Sequence, residues 1–163
     1  MNYPNYYLII GVIIAMSSTS TETVAQQHQP LELKIVNPSE LYDPAPNGYS
    51  HAIVVKGGTS IAYIAGQGGE DKNGKLSANF SEQVEQAYKN ILITLQAMNA
   101  KPSQVAKITT YVVDYNPGML VEMTKQVKML FGDALPAQTL VPVPRLALDG
   151  MLFEVDATVI MDD

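Results

Sequence analysis

The chain has 163 residues, room for one ordinary domain with an appendage, and its 47% hydrophobic and 16% charged content excludes a disordered protein. No Cys and only two His remove disulfides, thiolate catalysis, Cys-ligated zinc or iron–sulfur centres and a His-rich metal site. The formal net charge is -6, and the cations are Arg145 and nine scattered Lys, so no basic stripe exists to bind nucleic acid.

Residues 8–16, LIIGVIIAM, form an apolar run of nine, too short for a membrane-spanning helix of ~20 residues but of signal-peptide core length. A polar stretch follows, and Thr23-Val24-Ala25 offers a cleavage point before Gln26. Residues 1–25 therefore read as a signal peptide and 26–163 as a single domain, exported or periplasmic, with no membrane attachment once the signal is removed. MNYPNYY carries no Lys or Arg, so a hydrophobic tail on a cytoplasmic protein is the alternative.

Leu31, Leu33 and Ile35 alternate with Glu32 and Lys34, which predicts a half-buried strand. Asn37 to Gly48, with three Pro, is a loop. His51–Lys56 predicts a strand, Gly57-Gly58 a tight turn, and Ser60–Ala65 its hairpin partner. Gly66-Gln67-Gly68-Gly69 breaks that strand, as a bulge or turn does, and lacks the spacing of a dinucleotide loop. From Phe80 to Met98 apolar residues recur at three- and four-residue steps, predicting a helix with an Asn79/Glu82 capping pair. Val105–Asp114 is β-branched and reads as a central strand. Asn116-Pro117 opens a second helix, which Gly132 stops. Thr139–Val143 is a strand confined to an edge or strand end by Pro142 and Pro144.

Met151–Met161 alternates strictly, so one face buries while the other carries Glu154 and Asp156 among Leu152 and Ile160. The fold class is α+β, a mixed sheet with two helices on one face. The second, semi-apolar face calls for cover by other subunits. Glu154 and Asp156 lie about 7 Å apart on one face by the strand rise. Only burial at an interface would make such a carboxylate a useful acid or base near neutrality. His51 has no acidic partner nearby in sequence and reads as structural. No metal-ligand set is spaced along the chain, and no cofactor is implied.

The pieces NGYSHAIVV, IAYIAGQGG with NGK after it, EQAYKNILITLQAMNAKPSQVAKITTYVVD, LPAQTLVPVPRLA and FEVDATVI occur in an order that resembles the RidA/YjgF family of reactive-intermediate deaminases, also labelled endoribonuclease L-PSP. The resemblance spans Tyr49–Ile160. It implies a chorismate-mutase-like, six-stranded protomer, assembled as a homotrimer around a β-barrel-like core, with small-molecule sites in clefts between subunits. In the deaminase branch it implies hydrolysis of 2-imino or enamine acids to 2-oxo acids and ammonia.

Carried onto this chain, the resemblance makes Glu154 the catalytic residue that handles water. It places Tyr49, Gly66, Gln67, Thr124, Gln138 and Thr139 around the substrate. The departures are specific. Ala65 stands where the family has Ser, Thr124 where it has Asn, and Leu140 where it has Cys. Gln138 replaces the Arg that clamps the substrate carboxylate, and Arg145 matches a different Arg. A guanidinium offers a charged fork, whereas Gln offers one neutral amide. The chain thus resembles an Arg-lacking member: a hydrolase for an imine, enamine or related C–N compound other than the usual 2-imino acids. The alternative is a non-catalytic trimer that binds a small ligand or a protein partner.

Overall fold

The computed structural model describes residues 29–162; the expected signal segment lies outside them. The elements run β1 (Glu32–Val36), β2 (Ala52–Lys56), β3 (Ser60–Gly68), α1 (Phe80–Ala97), β4 (Val105–Val113), α2 (Leu120–Phe131), β5 (Ala137–Val143) and β6 (Phe153–Met161). The α+β class and the two helices are as expected. β3, β6, β4 and β5 lie side by side in that order, and only the β4–β5 pair is parallel, so the sheet is mixed. β5 is an edge strand of this sheet, where its Pro142 costs no ladder bond.

The expected strand pairing is corrected in three respects. The six strands do not form one sheet, and β2 does not pair with β3 as a hairpin. β2 pairs with β1 in a separate two-stranded sheet, while β3 pairs with β6 from Ser60↔Met161 to Gly68↔Glu154. The turn at Gly57 and Gly58 is made, with φ of 67° and 84°. It is crowded from both sides: a Cβ on Gly57 would lie 2.4 Å from the Gln29 carbonyl oxygen, and one on Gly58 2.8 Å from Ile160. The link is therefore a corner between sheets. β3 also runs on through Gly66 and Gln67 to Gly68, with a bulge between Ile64 and Gln67.

α1 begins where Asn79, in extended conformation, accepts the Glu82 amide on its side chain at 3.3 Å. The Glu82 carboxylate takes the Ser77 hydroxyl instead of closing a capping box. The helix ends at Met98, followed by Asn99 with φ 56°. α2 starts at Leu120, later than the Asn116-Pro117 signal, because Pro117–Met119 first forms a turn of 3-10 helix, with Asn116 capping Gly118 N. Val84, Ala87, Tyr88, Ile91 and Leu95 of α1 and Met123, Val127 and Phe131 of α2 bury one face of each helix. They meet Ile108 and Val112 of β4 and Phe153, Val155, Ala157 and Val159 of β6. Each fully buried side chain of this size is worth about 1.5–3 kcal/mol.

Gln83 is wholly buried in this core and fully used. Its amide nitrogen donates to Ser77 O and Gly150 O, and its amide oxygen accepts Leu152 N at 2.8 Å. It ties the start of α1 to the turn that launches β6. The opposite face of the four-stranded sheet carries no helix. Ile61 and Tyr63 of β3 stand there 56% and 79% exposed. Among the described residues, no helix is long and apolar enough to cross a membrane.

Candidate functional site

Side chains of neighbouring residues on a strand point to opposite faces, so the sheet sorts the candidate residues into two groups. Gln138 sits opposite Ile108, and Leu140 opposite Thr110, in the parallel β4–β5 register, which turns both toward the helices. There they join Tyr42, Tyr49 and Asn47 of the long loop and Leu120, Met123, Thr124 and Val127 of α2 around a pocket of about 300 Å3. Three expected residues, Tyr49, Thr124 and Gln138, thus come together.

The polar groups of this pocket are committed in a definite way. The Thr124 hydroxyl donates to Asn47 O at 3.1 Å and pins the loop to α2. Gly48, with φ 82°, brings the loop backbone against Thr124 at a distance a Cβ would crowd. The Gln138 amide nitrogen donates to the buried Thr110 hydroxyl at 3.3 Å. Its amide oxygen has no partner among the described residues and is an available acceptor. Tyr49 and Tyr42 share a hydrogen bond between their hydroxyls. His51 braces them edge-on at 5.8 Å and 5.2 Å, its Nε2 bonded to Tyr42 O. Among the described residues, no Lys or Arg lines the pocket; nearby Lys128 is turned onto Pro46 O.

Glu154, Gly66 and Thr139 belong to the opposite, helix-free face. Glu154 alternates with the buried Phe153 and Val155, so its side chain leaves the core. It folds over Gly66, where a Cβ would lie 2.1 Å from its Oε1; only a glycine leaves room for the carboxylate. Burial raises the Glu154 carboxyl above the ordinary range, and the charges of Glu70 and Asp156 add to the effect. Asp156 accepts Thr109 N and the Tyr111 hydroxyl. Its charge is the main cause that raises the Tyr111 phenol. Thr139 is bonded to the Lys107 ammonium, which partial burial lowers, opposed by Asp156. Gln67 is folded onto the carbonyls of Ala65 and Gly66 at the bulge.

Within one protomer the sheet therefore stands between the Gln138 pocket and Glu154. Sequence reasoning did not single out Tyr42, Asn47 or Glu70. Tyr42 and Asn47 lie in a proline-rich loop, whose path depends on α2. Glu70 follows the glycine cluster, and only the bulge decides where it points.

These features define a four-stranded mixed sheet with two helices on one face, an uncharged pocket beside α2, and a raised carboxylate on the free face. The family model described as Endoribonuclease L-PSP matches residues 42–161. A RutC family protein of Pyrococcus horikoshii is 35% identical over 117 residues, covering 70% of this chain and 88% of that protein. One from Aquifex aeolicus is 32% identical over 114 residues, covering 65% and 84%. Among solved structures, a protein of the conserved Rid family, YyfB from Yersinia pestis, superposes with a TM-score of 0.74 at 31% identity, covering 79% of this chain and 98% of that one. RidA from the Antarctic bacterium Psychrobacter sp. PAMC 21119 shares the fold, with a TM-score of 0.58 at 24% identity over 69% of this chain and 88% of its own. The chain belongs to the Endoribonuclease L-PSP family, the RidA/YjgF superfamily.

Proposed function

We propose that this chain is a hydrolase for small neutral imines or enamines, acting in clefts completed by a second copy in a homotrimer. The observation that carries the reading is the Gln138 pocket: it is mostly apolar, lacks any cation, and presents an amide oxygen as acceptor. Such a lining favours a neutral ligand that bears an N–H. A carboxylate placed there would forgo charge-assisted bonds of ~1.5–3 kcal/mol each. In the reaction one imine and one water give one carbonyl compound and one ammonia. Protonated Glu154 gives its proton to the imine nitrogen, and water oxygen adds to the carbon. The carboxylate takes a proton from the added water and returns it to nitrogen. The C–N bond then breaks, ammonia leaves, and the hydroxyl proton goes back to Glu154 as the carbonyl forms.

Gln138 and Glu154 stand on opposite faces of one sheet, so a site that uses both draws Glu154 from a neighbouring copy. The exposed Ile61 and Tyr63 on the Glu154 face support burial of that face against other copies. Light scattering is expected to give a trimer; a stable monomer at micromolar concentration sinks the shared cleft. Nuclease action, which the family description names, is opposed by the net charge of -6 and the want of a basic stripe. Export with loss of residues 1–25 is part of the same proposal, and intact mass of protein from the native host tests it.

The deciding assay is ammonia release from a panel of neutral imines and enamines beside 2-imino acids, for wild type, Gln138→Ala and Glu154→Ala. Turnover of neutral substrates that both substitutions abolish is expected. Binding of these compounds without ammonia release would favour a non-catalytic ligand-binding trimer.

A further inference from the structure

Two carboxylates lie over the glycine stretch of β3. A Cβ on Gly66 would meet Glu154 Oε1 at 2.1 Å, and one on Gly68 would meet Glu70 Oε2 at 2.4 Å. Gly66 lies in the bulge of β3 and Gly68 two residues on, so the two acids flank the same short piece of backbone. Gly68 is also the register partner of Glu154. The backbone that carries Glu70 is held from α1: Asn90 donates its side-chain amide to Gly68 O at 3.0 Å and Glu70 O at 2.9 Å. Neither carboxylate takes a hydrogen bond or pairs with a cation among the described residues.

Two further titratable groups face Glu154: Tyr111 is its register partner on β4, and Asp156 on its own strand adds a charge acting in the same direction as that of Glu70. Asp156 is held by Thr109 N and Tyr111, and Lys107 by Thr139 and Ile108 O. Tyr63 projects from β3, paired in register with Thr158.

We propose that Glu70 is a positioning residue for Glu154: fixed by Asn90 and laid over Gly68, its negative charge keeps on Glu154 the proton that imine hydrolysis must deliver to nitrogen. This rests on the hydrolase reading for its use, though not for its existence. Burial is the largest cause that raises Glu154, and the charge of Glu70, followed by that of Asp156, acts in the same direction. Gly66 and Gly68 leave the room that the two side chains occupy, while Gly69 makes room for Gln83 of α1.

The test follows the carboxyl carbons directly. Protein labelled with 13C at the glutamate carboxyls is titrated by NMR, and the Glu154 resonance is identified by its loss in Glu154→Gln. In wild type its midpoint should lie above the ordinary glutamate range. Glu70→Gln, which keeps shape and removes charge, should bring it down; Glu70→Asp, which keeps the charge, should leave it raised. Raising NaCl to about 1 M, where screening reaches ~3 Å, should also lower it in wild type. A midpoint that ignores Glu70→Gln overturns the proposal whatever the salt response, because salt also screens Asp156; if Glu70→Gln does not fold, Glu70→Ala is titrated in its place. With an imine substrate, the pH profile of kcat should narrow on its alkaline side in Glu70→Gln and be restored in Glu70→Asp. Turnover with an unmoved midpoint defeats Glu70 and leaves the hydrolase. A moved midpoint with no turnover of any imine leaves the Glu70 effect and defeats the hydrolase.

Discussion

Gly66→Ala and Gly69→Ala make the same chemical change three residues apart, yet the structure predicts opposite consequences. Neither glycine has a positive φ, so backbone strain does not enter. At Gly69 the new methyl would lie 2.6 Å from the Cα of Gln83 and 2.6 Å from its Cβ. That neighbour is helix backbone and cannot swing away. Overpacking of this kind costs about 1–3 kcal/mol. Pushing Gln83 off its three buried partners adds about 1–3 kcal/mol for polar groups left unsatisfied. The total, about 2–6 kcal/mol, corresponds to a fall in Tm on the order of 10 °C for a domain of this size. At Gly66 the obstacle is the carboxylate end of Glu154, at 2.1 Å from Oε1, which rotates out for about 0.5–1.5 kcal/mol. The lower entropy of the unfolded Ala chain returns about 0.4–1 kcal/mol, so Tm should barely change. Catalysis, however, should fall as far as in Glu154→Ala. Thermal unfolding at fixed protein concentration and ammonia release separate the two outcomes. A Gly69→Ala protein as stable as wild type, or a Gly66→Ala protein with full activity, refutes the reasoning.

Gln138→Arg should raise the affinity of 2-imino acids or their stable analogues tenfold or more, from a charge-assisted bond of ~1.5–3 kcal/mol, read by calorimetry. It should also lower apo stability, because the guanidinium would be partly buried without a partner. Tyr88 is 3% exposed, and its hydroxyl is a buried polar atom without a hydrogen bond. Tyr88→Phe should therefore be neutral or stabilising, by up to about 1 kcal/mol in chemical denaturation. Glu154 has a folded-state pKa raised by burial first. Its contribution to stability is full below the unfolded value, about pH 4.3, and is lost as pH rises through the folded value. Glu154→Gln should thus gain Tm over wild type above that range, with no gain at lower pH; a gain only in acid contradicts the sign.

Several features were legible in the residues because they are local. The step of three and four from Phe80 to Met98, with Asn79 before it, is a helix whatever it packs against. The alternation through β6 announces one buried face and places Glu154 and Asp156 together on the other. Family membership was legible too, since it rests on ordered stretches of chain. The neutral Gln138 could be read as well, because a residue's charge needs no coordinates to be noticed.

What tertiary structure decided was partnership. Val54 and Val55 suit a hairpin with Ile61 and Ile64, yet Gln29, Ile160 and Met161 crowd Gly57 and Gly58, and β3 pairs with β6 instead. The parallel β4–β5 register, closed through α2, turns Gln138 toward the helices, while Thr139 faces away. Alternation tells that neighbouring residues part company, but only the packing of α1 and α2 tells which face is which. The bulge between Ile64 and Gln67 sets Gly66 under Glu154 and Gly68 under Glu70, and so brings together two acids far apart in the chain. Such long-range contacts depend on the shared burial of elements that are individually indifferent to one another. The chemistry of each residue was therefore written in the chain, and its neighbours were chosen by the core.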